Sequence, residues 1–146
     1  IEDLFSDDFE GSHTWIENPS SGITWYLNSP CVSTCIRAGD ENASIDRTIS
    51  TVGYSSISVS FEMGASFSPG NTMTAQWSPD GGATWNIMKQ INDGDPEDDG
   101  NLHLFTYSLP AGADNNPAFS LRFVLAGANP TDEAYVDNIV VGGMPN

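Results

Sequence analysis

The sequence predicts an all-β fold, an antiparallel sandwich formed as one domain over residues 1–146. Three observations carry that reading. Ile57, Val59, Phe61 and Met63 alternate with Ser58, Ser60 and Glu62, and similar alternation recurs over Thr72–Trp77 and Phe119–Leu125, the pattern of half-buried strands. Gly, Pro, Ser, Thr and Asn punctuate the chain at spacings of roughly eight to twelve residues, as sandwich turns do. No long stretch repeats its apolar residues with helical period.

Composition narrows the partners. Lys and Arg number 4 against 20 Asp and Glu, a formal charge of −16. Such a surface repels nucleic acid and anionic membranes, and suits divalent cations or uncharged ligands such as glycans. No apolar run approaches the ~20 residues that span a bilayer. A chain that starts at Ile1 without methionine is expected of a processed or excised segment.

Along the chain, Ile1–Phe5 reads as a tail or linker remnant ahead of the first domain strand. Ile1, Asp3 and Phe5 share one side of it, so the segment is also suited to pairing with a neighbour's sheet edge. Phe9 anchors the first strand, with Asp8 and Glu10 on the opposite face. Two carboxylates so placed either face water or converge on a cation. Gly11 turns the chain, Asn18–Gly22 is a loop by composition, and Thr24–Leu27, which contains Trp25 and Tyr26, is a short strand. Cys31 and Cys35 flank a small loop beginning at Pro30. Their expected disulfide implies an oxidising, extracellular compartment.

Strands are expected at Arg47–Thr51 and Ser56–Met63, joined by a Gly53 turn, and at Thr72–Trp77 with Met73, Ala75 and Trp77 inward. Asn86–Ile91 follows with Ile87 inward beside Trp85. Residues 92–100 carry five acids in nine positions, read as a solvated loop, with a second calcium loop through Asp93, Asp95 and Asp98 or Asp99 as the sharper alternative. Leu102–Leu109 and Phe119–Leu125 are further strands.

The last strand, Ala134–Val141, places Tyr135, Asp137, Ile139 and Val141 on one face by simple alternation. Asp137 is the exception in apolar company. A carboxylate there needs a cation or several donors to offset desolvation. With four basic side chains in the whole chain, a metal is the expected partner, and oxygen ligands favour Ca2+.

An N-terminal Asp-Phe-Glu, a tryptophan a few residues later and a terminal Tyr-Val-Asp-Asn-Ile-Val resemble the two ends of calcium-binding jelly rolls, among them MAM domains and carbohydrate-binding modules of secreted bacterial enzymes. The resemblance implies a jelly-roll sandwich whose first and last strands share a structural calcium, with Asp8 or Glu10 and Asp137 as ligands. The stretch Arg37–Ile45 is similar to the Gly-Asp turn of such domains, which implies Asp40 as a further ligand. The cysteines characteristic of MAM domains are not present. Ser78-Pro79-Asp80-Gly81-Gly82-Ala83-Thr84-Trp85 matches the Asp-box pattern at every defined position and is similar to the hairpins of reelin-like repeats and sialidase blades. Its physics is that of a turn: Asp80 accepts amide hydrogen bonds and Trp85 folds back as a plug.

Catalysis is not expected. His13 and His103 are isolated, and neither a Gly-x-Ser-x-Gly elbow nor a His-Glu-x-x-His motif occurs. The expected activity is carbohydrate binding by an accessory module of a secreted protein. One outward polar face would carry Glu62, Gln76 and Arg122, with Trp25 and Tyr26 as candidate stacking rings. The alternative is an adhesive or structural subunit that assembles with neighbouring copies into a filament through calcium and strand exchange.

Overall fold

The computed structural model describes residues 1–11, 15–18, 23–26, 30–31, 34–38, 43–67, 70–126 and 133–146, and for 24–26 the backbone alone. Among them are eleven strands: β1 (Glu2–Asp7), β2 (Ile16–Asn18), β3 (Ile23–Tyr26), β4 (Cys35–Ala38), β5 (Ser44–Thr48), β6 (Tyr54–Ser66), β7 (Thr72–Ser78), β8 (Asn86–Asn92), β9 (His103–Ser108), β10 (Ser120–Ala126) and β11 (Glu133–Pro145). Eight to ten strands follow from the alternation alone. The excess comes from pieces such as β2 and β4, three and four residues long, too short to show a period. Among the described residues no helix is long and apolar enough to cross a membrane.

Every pairing is antiparallel. The first sheet runs β3-β4-β11-β6-β9, and β1 also pairs with β11. The second runs β2-β5-β10-β7-β8. This is the expected jelly-roll sandwich of two antiparallel sheets. Its core is where the alternation placed it. Ile57, Val59, Phe61 and Met63 of β6 face Phe119, Leu121, Phe123 and Leu125 at β10, all of them buried. Phe61 and Phe123 meet edge to face across the two layers with centroids 5.3 Å apart, a favoured aromatic geometry.

Four expectations need correction. The segment read as a tail is β1 itself, hydrogen-bonded along β11 from Glu2↔Gly143 to Asp7↔Ile139. Phe9 lies beyond that strand, at φ 57° and buried. It anchors a turn rather than a strand. The strand expected at Arg47–Thr51 is β5, shifted to Ser44–Thr48, and the Gly53 turn carries the chain from the second sheet to β6 in the first.

The third correction concerns β11. Asp137 pairs with Glu62 and Val140 with Ser60, so two residues of β11 oppose one of β6. Asn138 occupies the bulge at φ 48°, a conformation Asn tolerates better than β-branched residues. The extra residue reverses the phase of the strand. Ala134 and Val136 belong to the core before it, Ile139 and Val141 after it, whereas Tyr135 and Asp137 lie on the outer side. Tyr135 packs there with Leu102 and the Cys31–Cys35 disulfide.

Ile87 is the fourth. A second irregularity, between Ala75↔Lys89 and Gln76↔Ile87, turns it outward, and it is 59% exposed. In each strand one inserted residue undid a face assignment made by strict alternation.

Gly64 marks the closest approach of a loop to the first sheet. A Cβ at that position would lie 2.1 Å from the carbonyl oxygen of Asn101, whereas one at Gly11 would meet nothing within 4 Å. Gly64→Ala is therefore expected to destabilise the domain by about 2 kcal/mol or more and Gly11→Ala to be near neutral, as read from urea unfolding midpoints.

Candidate functional site

The bulge in β11 builds an acidic centre on the outer side of the first sheet. Asp137 is 5% exposed, and its Oδ1 accepts the Asn138 backbone N–H at 2.8 Å. The Asn138 amide in turn donates to Glu62 Oε1, Glu62 being the cross-strand partner of Asp137. Asp8 and Glu10 arrive from the turn after β1. Glu10 Oε1 accepts the Thr34 amide at 2.8 Å from the disulfide loop, and Asp8 Oδ1 accepts the Glu10 amide at 3.1 Å. Burial first, and then the negative charges of Glu62, Glu10 and Asp8, push the Asp137 carboxyl up from its usual 3.8 to about 6, against the pull of the Asn138 N–H.

The chain's own cations do not relieve it. Arg37 pairs with Glu133 at 3.3 Å and Lys89 with Glu97 at 2.9 Å. Arg47 lies over the Phe5 ring and Arg122 over Trp85. A cleft of about 260 Å³ opens beside the centre, lined by Ser6, Asp7, Asp8, Gly11 and Asn138 to Val140. The donors are all oxygen, which fits a hard divalent ion. Among the described residues, no group of three Asp, Glu, His or Cys side chains is drawn together closely enough to hold one. Asp40, the remaining ligand candidate, lies outside the described residues, as does His13.

Asp7 is the residue the sequence reading passed over here. Its Oδ1 accepts the Phe9 amide at 2.8 Å and its Oδ2 the Trp15 indole N–H at 2.9 Å. It thereby fixes the turn that delivers Asp8 and Glu10. A carboxylate two residues before an amide it caps is an Asx turn, a signal hidden by the run of neighbouring acids.

The expected single polar face is divided between the two sheets. Glu62 is on β6 in the first sheet, whereas Gln76 and Arg122 are on β7 and β10 in the second. Trp25 and Tyr26 sit on β3, paired with Ile36 and Cys35, and their side chains are outside the described ones. On the second sheet, Arg122 Nε donates to Gln76 Oε1 at 2.8 Å. Its guanidinium lies 4.3 Å from the centre of the Trp85 ring, a cation–π distance. Trp85 is thus the support of Arg122, held from the other end by the turn 78–85. There Asp80 Oδ1 accepts the Thr84 amide at 2.8 Å and its Oδ2 the Thr84 hydroxyl at 2.6 Å. The Thr84 hydroxyl is the main cause that holds the Asp80 carboxyl below its usual range.

The loop 92–100 engages its carboxylates with its own amides and with neighbouring strands. Asp98 accepts the Phe67 and Gly94 amides at 2.7 and 3.0 Å, Asp95 accepts the Asn92 amide at 2.8 Å, and Asp99 meets His103 at 2.9 Å. Each is engaged by a turn amide or an imidazole.

No protein-family model matches the chain, and no curated protein matches it by sequence. Solved structures do share its fold. The K1 cleaved adhesin domain of Lys-gingipain from Porphyromonas gingivalis W83 aligns over 96% of this chain and 98% of its own, with TM-score 0.66 and 14% identity. The C-terminal family 22 carbohydrate-binding module of Clostridium thermocellum Xyn10B aligns over 97% and 92%, with TM-score 0.62 and 12% identity. A carbohydrate-binding module of Cellvibrio mixtus lichenase 5A, solved with cellotriose, aligns over 98% and 99%, with TM-score 0.54 and 9% identity. At such identities the likeness establishes the architecture: this chain has the jelly-roll sandwich found in carbohydrate-binding modules and adhesin domains.

Proposed function

We propose that the chain is a non-catalytic, calcium-stabilised carbohydrate-binding module of a secreted protein. The observation that carries the binding reading is the Arg122–Gln76 pair, fixed on Trp85 in the open face of a sandwich shared end to end with carbohydrate-binding modules. A guanidinium and an amide already held in place lose little side-chain freedom when a sugar hydroxyl docks. The Cys31–Cys35 disulfide supports an oxidising, extracellular setting. The likeness to an adhesin domain supports a second reading, an adhesive subunit joined to its neighbour through β1.

The calcium half of the proposal rests on Asp137, whose burial has no protein cation to offset it. Asp137, Asp8, Glu10 and Glu62 would have to draw closer together to supply carboxylate oxygens to one ion, and Asp40 is the remaining candidate. Bound there, Ca2+ would offset two of the negative charges of this centre and tie β1 to β11, adding its binding free energy to folding.

Three outcomes test this. Retardation by neutral polysaccharides (xylan, galactan and β-glucan) in affinity electrophoresis should weaken about tenfold in Arg122→Ala and Gln76→Ala. Glu62→Ala, on the other sheet, should leave it within about twofold in saturating calcium. Absence of retardation, together with calcium-dependent growth in particle size, would transfer the assignment to the adhesive subunit.

Excess EDTA should lower the melting temperature and added calcium restore it, with Asp137→Asn insensitive to both. Equal melting curves with and without chelator would remove calcium from the proposal.

In EDTA the pH dependence also has a definite sign. A carboxyl whose folded pKa is raised holds its proton longer in the folded state, so its stabilising contribution is full below about pH 4 and lost as pH rises through about 6. Asp137→Asn should therefore gain on the wild type across that interval in urea titrations, and parallel profiles would show that Asp137 is not the group responsible.

A further inference from the structure

The outer face of the second sheet carries a row that neither alternation nor motif disclosed. Ile16 pairs with Asp46, Asp46 with Arg122, Arg122 with Gln76, and Gln76 with Ile87. Directly paired residues on an antiparallel sheet share a face, so these five form one line across all five strands. Four interstrand steps of about 4.8 Å make it about 19 Å long. Its two ends are exposed isoleucines, Ile16 at 63% and Ile87 at 59%.

Within the row, Arg122 bonds to Gln76 on one side rather than to the carboxylate on the other. An Arg and an Asp directly paired across strands ordinarily attract one another. Here Arg122 Nε is taken by Gln76 and its plane by Trp85. Among the described residues no ion pair or hydrogen bond joins it to Asp46. The two residues are thus cross-strand partners on one face, and the Asp46 carboxylate and the terminal nitrogens of Arg122 share no hydrogen bond. Both groups are half-buried. Burial pushes the Asp46 carboxyl up and the Arg122 guanidinium down, each partly offset by the charge of the other.

Resting on the carbohydrate reading above, we propose that Asp46, Arg122 and Gln76 form a site for adjacent hydroxyl pairs of an uncharged glycan lying across the strands. Asp46 accepts from one hydroxyl, and the Arg122 terminal nitrogens donate to its neighbour. Gln76 gives its amide oxygen to Arg122 and keeps its amide N–H groups for the ligand. A hydroxyl pair meets both needs at once because each hydroxyl is donor and acceptor. A uronic acid would satisfy Arg122 but set a second negative charge beside Asp46, within a molecule of charge −16. The exposed isoleucines give the C–H faces of outlying sugar rings an apolar surface, and the open row suits the interior of a chain rather than its end.

The experiment compares neutral xylan, galactan and β-glucan with polygalacturonate by affinity electrophoresis and calorimetry, on the calcium-loaded domain. At least one neutral polymer should bind, with polygalacturonate about tenfold weaker or worse. Asp46→Asn, checked for unchanged melting temperature, should weaken the neutral ligand about tenfold and narrow the gap to polygalacturonate. Arg122→Lys, which keeps the charge and loses the planar fork, should also weaken it.

A measurement without any variant guards against misfolding. An O-methylated form of the bound oligosaccharide has no O–H for Asp46 and should not bind. Preference for polygalacturonate, full binding by Asp46→Asn, or binding of the methylated sugar would each overturn the site while leaving carbohydrate binding standing. Failure of every polysaccharide would instead remove the carbohydrate reading itself, and this site with it.

Discussion

The structure depends on how twenty carboxylates are accommodated with four basic side chains. Backbone N–H groups do most of that work among the described residues. Asp7, Asp8, Glu10, Asp80, Asp95, Asp98, Asp99 and Asp137 each accept a main-chain amide. Such charge-assisted bonds are stronger than neutral ones, and those of Asp7, Asp8, Asp80, Asp95, Asp98 and Asp99 shape local turns. Loops that would otherwise repel themselves apart are pinned by the very groups that carry the charge. The same accounting isolates Asp137. It is the one of these carboxylates that is buried, and the amide it receives does not outweigh the loss of solvent and three neighbouring charges.

The bulge in β11 creates this situation. Without the extra residue at Asn138, the phase that places Ala134 and Val136 in the core would carry Asn138 and Val140 inward as well. With it, Ile139 and Val141 fill the core, and Asp137 and Tyr135 are left outside, Tyr135 against the disulfide. Asn138 serves twice. Its left-handed backbone makes the bulge, and its amide joins Glu62 to the same centre. A bulge beside a charged group re-aims the side chain, and here it sets a carboxylate on the outer side of a central strand whose core-facing residues are apolar.

Much of this was legible in the chain, and its limits are physical. The alternation of β6, β7 and β10 identified the buried residues because each strand has one face in the core and period two has no ambiguity there. The turn 78–85 was legible because Ser78, Asp80 and Thr84 act within a few residues of one another. What could not be read was non-local. Nothing in Glu2–Asp7 announces that its partner is β11, some 130 residues away. Single-residue bulges at Asn138 and near Met88 leave no compositional mark, yet each inverts the residues that follow. The separation of Glu62 from Gln76 and Arg122 fails for the same reason, because similar half-polar strands give no clue to which sheet they join. Asp46 escaped because a row across strands is a product of register.

Register also explains why the two proposed sites are compatible. The acidic centre lies on the outside of the first sheet and the Asp46–Arg122–Gln76 row on the outside of the second, with the Phe61–Phe123 contact and the rest of the core between them. Packed sheets lie about 10 Å apart, so groups on their two outer sides do not touch one another. A divalent ion bound in the acidic centre, as proposed, would act on the proposed ligand row through the sheets and not by contact. The row remains an evenly balanced acceptor and donor pair whether the centre is filled or empty, and that neutrality is what an uncharged ligand requires on a molecule this acidic.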